Sequence, residues 1–149
     1  MAMKGLTGFN IPEHQEVTSD LIYFIRKHFE QKGLTDQFSI APELRVKTSI
    51  MNKGSFIPDI VIRTTAKTWN QPILIIEVSR SRGLKTDIKK VKKAVKNMRS
   101  MQEGFIYNYE TGSIFRIMKQ TLIEEEKGYS KLLGIDLISC LKKKYKTCL

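Results

Sequence analysis

With 149 residues, 26 Lys and Arg against 15 Asp and Glu, and a formal net charge of +11, the chain has the length of a single domain with room for a buried core. No apolar run approaches a membrane span, and residues 1–14 lack the apolar segment and cleavage site of a signal peptide, so membrane and secreted classes are set aside and a cytoplasmic protein is expected. Cys140 and Cys148 stand in no CxxC or Cys/His spacing, which argues against a zinc site or a disulfide framework.

Residues 1–12, with Gly5, Gly8, Asn10 and Pro12, read as an N-terminal arm. From Glu16 to Gln31 the apolar residues Val17, Leu21, Phe24, Ile25 and Phe29 share one helical face, and Gly33 supplies the stop. The uneven alternation of FSIAPELRVKTSI predicts a first strand over Leu44–Ile50. Two Ile- and Val-rich runs follow, FIPDIVIR and PILIIEVS, and read as neighbouring strands on either side of a polar loop.

Each of these runs carries one carboxylate, Asp59 and Glu77. A carboxylate in an apolar strand is costly unless something pairs with it. Strand alternation turns Glu77 and Ser79 toward the same face. Two carboxylates converging there suggest a cation between them, most simply Mg²⁺ with Mn²⁺ as the alternative, since such ions take oxygen ligands and commonly one or two carboxylates.

A second helix is predicted from Leu84 to Met101, with Leu84, Ile88, Val91, Val95 and Met98 on its apolar face. Lys85, Lys89, Lys92, Lys96 and Arg99 repeat the same spacing one residue later and form a stripe beside that face. Between Arg80 and Arg99 there are nine basic residues and one acid, Asp87, so this short segment holds +8 of the net charge. So local an excess points to a polyanionic partner, nucleic acid, with Arg80, Arg82, Lys85, Lys89, Lys92, Lys96 and Arg99 as its contacts. The competing reading is a solvated helix face.

GFIYNY-ETGS-IFRIM reads as a hairpin turning at Thr111-Gly112. Residues 129–149 form a C-terminal extension with a helix over Asp136–Lys144. The order α-β-β-β-α-β-β gives a mixed α/β fold, a central sheet flanked by helices. His14 and His28 show no ligand spacing, and Trp69, Tyr107 and Tyr109 read as packing residues before base-stacking ones.

A Pro-Asp on one strand, a Glu two residues before a polar position on the next, and then a basic helix resemble the PD-(D/E)xK nuclease superfamily over roughly Glu16 to Ile117. The resemblance implies the restriction-endonuclease-like αβββαβ core. It makes Asp59 and Glu77 metal ligands, with the carbonyl of Val78 as a further one, and it often adds an acid from the first helix, for which Glu16 is the nearest match and Glu13 and Asp20 the alternatives. Ser79 stands where the superfamily has its lysine. Some branches supply that lysine from the following helix, and the string EVSRSRGLKTDIKK offers Lys90, on the flank of Asp87, and Lys85 and Lys89 on the opposite flank. The expectation is a Mg²⁺-dependent nuclease acting on DNA before RNA, with a homodimer compatible with it. The alternative is a binding module on the same fold whose activity left with the lysine, and a weaker third reading is a protein-interaction subunit.

Overall fold

Pro12 opens the first helix. The computed structural model describes residues 12–43, 57–65, 71–139 and 141, and α1 (Pro12–Lys32) starts a turn earlier than its apolar periodicity suggests. Proline is well suited to the first helical position, where its missing N–H would have no partner in any case. Residue 12 therefore belongs to the helix and not to an arm. Gly33 ends it at φ +66°, a left-handed conformation that glycine adopts without strain.

The strand after α1 is Phe38–Pro42 (β1), which lies before the predicted Leu44–Ile50; that segment is outside the described residues. β2 (Ile60–Thr64), β3 (Pro72–Ser79), β4 (Glu103–Asn108), β5 (Ser113–Met118) and β6 (Glu124–Glu125) complete a six-stranded sheet in chain order. All neighbours are antiparallel except β3 and β4, which run parallel with Leu74 opposite Glu103 and Ser79 opposite Asn108. A parallel pair needs a crossover, and α2 (Leu84–Asn97), entered through a 3₁₀ turn at Ser81–Gly83, supplies it.

The two helices cover opposite faces. Val17, Leu21, Ile25 and Phe29 of α1 pack with Ile40, Ile60, Ile62, Leu74, Ile76 and Phe105. Ile88, Val91, Ala94 and Val95 of α2 pack with Val61, Ile75, Ile106 and Ile117. This is the mixed sheet between helices, with the αβββαβ order, that the sequence predicts. α2 ends at Asn97, short of Met101, which is nonetheless fully buried against the same face.

Beyond β6, a small hairpin of β7 (Tyr129–Ser130) and β8 (Ile135–Asp136) folds back on the sheet. Its anchor is Glu103, a buried carboxylate that accepts hydrogen bonds from Ser130 Oγ (2.6 Å) and from the backbone N–H of Lys131 (3.0 Å). Residues 137–139 are helical, at the start of the predicted Asp136–Lys144 helix; residues 142–149 lie outside the described ones. Among the described residues, no helix is long and apolar enough to cross a membrane.

Candidate active site

The register that sets Ile60 opposite Ile76 carries Asp59 to the level of Glu77 at the same end of the sheet. Asp59 is tied to β3 twice: its backbone N–H donates to Glu77 Oε1 (2.9 Å), and its Oδ2 accepts from the Val78 backbone N–H (2.7 Å). Two carboxylates are thus held side by side by the backbone. Glu77 is buried, and desolvation together with the Asp59 charge pushes it up to about 9.

A third group reaches this pair from α1. His14 Nε2 lies 3.2 Å from Asp59 Oδ2 and 3.1 Å from the carbonyl oxygen of Val78. Its hydrogen bond to Asp59 is the main reason that the imidazole is raised above its ordinary value. Tyr109 stands edge-on to the ring, with centroids 6.3 Å apart. The sequence reading gave His14 no role and favoured Glu16. Glu16 is exposed and makes no hydrogen bond or ion pair with Asp59 or Glu77, and Glu13 is exposed as well. The signal lay in the stripe: His14, Val17, Thr18, Leu21 and Ile25 follow helical spacing on the sheet-facing side, and Glu16 falls off it.

Ser79, two residues beyond Glu77, is almost fully buried. Its hydroxyl donates to the Arg80 carbonyl (3.0 Å), and it lies close enough to Asp87 on α2 to favour the ionised carboxylate. Asp87 is raised chiefly by burial, against the opposing pull of Ser79 and of the nearby Lys90 charge. The position where the superfamily has a lysine therefore holds a buried hydroxyl on β3 that faces the first turn of α2. Asp87 feels the charge of Asp59, and Lys90 follows three residues later on the same flank of α2.

Lys85, Lys89 and Lys96 are exposed on the other flank, where Lys92 Nζ reaches to 3.8 Å from Glu124 Oε1 on β6, and Arg99 is exposed just beyond the helix end. Of the three lysines considered for the site, Lys90 alone lies on the flank of Asp87. Arg80 and Arg82 are exposed on the connection between β3 and α2. Glu110 fixes that connection, accepting from the Ser81 backbone N–H (2.8 Å) and pairing with Arg80 Nε (3.4 Å). Tyr107 is buried, in line with a packing role, and Trp69 lies outside the described residues.

The donors suit a hard cation. Among the described residues, no three His, Cys, Asp or Glu side chains form a ready-made metal cluster. What converges is the Asp59 carboxylate, the neighbouring Glu77 and a main-chain carbonyl, an oxygen set of the kind that Mg²⁺ accepts when water completes its shell. Glu77 would give up its proton readily only with such a charge beside it.

No protein-family profile and no curated protein matches the sequence. Among solved structures, the chain is similar to a candidate nuclease belonging to DUF820 from Anabaena variabilis, at 15% identity and a TM-score of 0.63, covering 89% of this chain and 83% of that one. It is also similar to part of the type IIG restriction endonuclease BpuSI, at 15% identity and a TM-score of 0.51, covering 68% of this chain and 11% of that much longer one.

Proposed function

We propose that this chain, which has the restriction-endonuclease-like PD-(D/E)xK fold, is a metal-dependent nuclease hydrolysing phosphodiester bonds of nucleic acid, DNA before RNA. The observation that carries the proposal is the pairing of Asp59 with a buried Glu77 that cannot easily ionise unless a cation shares the site. Asp59, Glu77 and the Val78 carbonyl would hold Mg²⁺ or Mn²⁺. When bound, the ion supplies polarisation of a phosphate oxygen and a hydroxide near neutral pH.

The chain itself does the rest. The Val78 N–H fixes the direction of Asp59 Oδ2, and the Asp59 N–H fixes Glu77 Oε1, so neither carboxylate needs to reorganise as charge develops. Lys90 is the cation for the developing phosphate charge, steered by Asp87 one helical turn earlier. The exposed basic residues from Arg80 to Arg99 hold the sugar–phosphate backbone against α2.

Incubation of plasmid and single-stranded DNA with Mg²⁺ or Mn²⁺, against the Asp59→Ala/Glu77→Ala double variant, tests the reading. Cleavage by the unmodified chain and its loss in the variant are expected. Lys90→Met should slow cleavage by on the order of 10²–10³ while leaving metal binding largely intact, as for the loss of one contact to developing charge. If the unmodified chain binds DNA and never cleaves it, Ser79 marks a degenerate site and the binding-module reading takes over.

A further inference from the structure

We propose that a cavity between α1 and the end of β1 receives an unpaired nucleobase of the substrate strand, so that the chain prefers nucleic acid that is single-stranded beside the scissile bond; the inference rests on the nuclease reading above. Ser19, Ile22, Tyr23 and Arg26 line the cavity from one face of α1 and Pro42 lines it from β1, around a volume of about 320 Å³. It adjoins the carboxylates through the backbone. Pro42 pairs with Ile60, the residue after Asp59, and the Glu43 N–H donates to the Asp59 carbonyl (3.0 Å). Along α1, Tyr23 lies nine residues beyond His14. That is about 14 Å at 1.5 Å per residue, or about four stacked nucleotides at 3.4 Å each.

The lining has the chemistry of a base site. Tyr23 is 56% exposed, and Ile57, two residues before Asp59, is 46% exposed, so large apolar groups stand open near the carboxylate end of the sheet. A tyrosine ring stacks on any base, because every base has a π-face. Arg26 Nη2 donates to the Ile40 carbonyl (3.3 Å), a bond that holds the side chain in the wall and engages one of the five N–H donors of a guanidinium. The Ser19 hydroxyl can donate to a base edge or accept from it, and Ile22 and Pro42 supply apolar walls. Lys27 Nζ stands 5.6 Å over the Tyr23 ring, which sets a cation beside the phosphates of a strand laid along α1. A paired base must be unstacked before it can enter a side cavity, whereas an unpaired one gives up little, and this difference is the source of the strand preference.

The test measures binding, with no need for turnover. The full chain, freed of metal by chelation, is titrated by fluorescence anisotropy with a labelled single strand, the same strand lacking its bases, and a blunt duplex, alongside Tyr23→Ala and Tyr23→Phe. Tyr23→Ala should weaken binding of the intact strand by roughly tenfold. It should leave the baseless strand, the duplex and the salt slope unchanged, and Tyr23→Phe should bind as the parent does. Ultraviolet cross-linking of the unmodified chain to a strand carrying 5-iodouracil should label the peptide that holds Tyr23. This measurement needs no variant, so it decides the matter even if Tyr23→Ala folds poorly.

An equal loss on strands with and without bases, or cross-links confined to α2, would overturn the inference. Nucleic-acid binding indifferent to Tyr23 would overturn it as well and leave a protein segment as the occupant. Failure of the unmodified chain to bind any strand would remove both the cavity's role and the nuclease reading. Metal-dependent cleavage with no base-dependent effect of Tyr23 would remove the inference alone. A base-dependent effect of Tyr23 in a chain that never cleaves would uphold the base site while removing the nuclease reading.

Discussion

Without a cation, a Glu77 carboxyl pushed up to about 9 by burial and by Asp59 keeps its proton at neutral pH. The folded chain then holds that proton more tightly than the unfolded chain does between 4.5 and about 9, so folding stability falls as pH rises through this window. His14, raised mainly by its hydrogen bond to Asp59, acts in the same direction: its contribution is complete below 6.5 and is lost as pH climbs through its folded-state value. Asp87, raised chiefly by burial, also loses stability for the fold as pH rises above 3.8. The chelated protein should therefore melt at progressively lower temperature from pH 6 to pH 9. Glu77→Gln should flatten that decline, by at most about 1.4 kcal/mol per pH unit for one proton. A melting temperature that rises over the same range would sink this account of the site. Asp59 and Glu77 were legible in the sequence because a carboxylate inside a run of Ile and Val is conspicuous. His14 was not, because a lone histidine at a helix start signals nothing until the strand that it reaches is in place.

The packing of α2 on the sheet turns on one residue of β4. A Cβ added to Gly104 would lie 2.3 Å from Val91 Cγ1 and 2.9 Å from Val95 Cγ2, and neither β-branched side chain can swing aside within a helix. Gly104→Ala should cost about 1–3 kcal/mol of stability by overpacking, read from denaturant unfolding, and should lower DNA cleavage through displacement of Asp87 and Lys90. If the variant is as stable as the parent, α2 sits less tightly on β4 than the structure shows. The helices, β2, β3 and the hairpin were readable from apolar spacing, because each is a long or strongly periodic segment. β1 (Phe38–Pro42) precedes the predicted Leu44–Ile50, which lies outside the described residues; it went unread because its five residues close at Pro42, before Glu43 at φ +45°. Glu103 and its hydrogen bonds to the β7–β8 hairpin were invisible, since only the folded register brings residue 103 to residue 130. Ser79 is the instructive case: its departure from the lysine motif was plain in the sequence, but its proximity to Asp87 required the crossover to be seen.

Across the whole molecule, +8 of the net charge of +11 lies between Arg80 and Arg99, most of it on α2 and the turn before it. Lys89→Glu with Lys96→Glu, both at exposed positions away from Asp87, should weaken DNA binding and reduce the slope of log affinity against log salt by about 2 if each lysine meets one phosphate of a duplex. Unchanged affinity and slope would show the stripe to be merely solvated. The one parallel pairing in the sheet has a kinetic consequence. β1, β2 and β3 join through antiparallel ladders, so Asp59 and Glu77 can meet through β2–β3 pairing alone. β4 can dock on β3 only after the chain has closed a loop from residue 79 to residue 103, with α2 inside it. Loop closure of this kind must be met before its contacts repay it. On contact-order grounds, the carboxylate pair can therefore form before α2 and β4 dock and cover Glu77. A cation bound to the pair would then be enclosed by the same docking of α2 and β4 that covers Glu77.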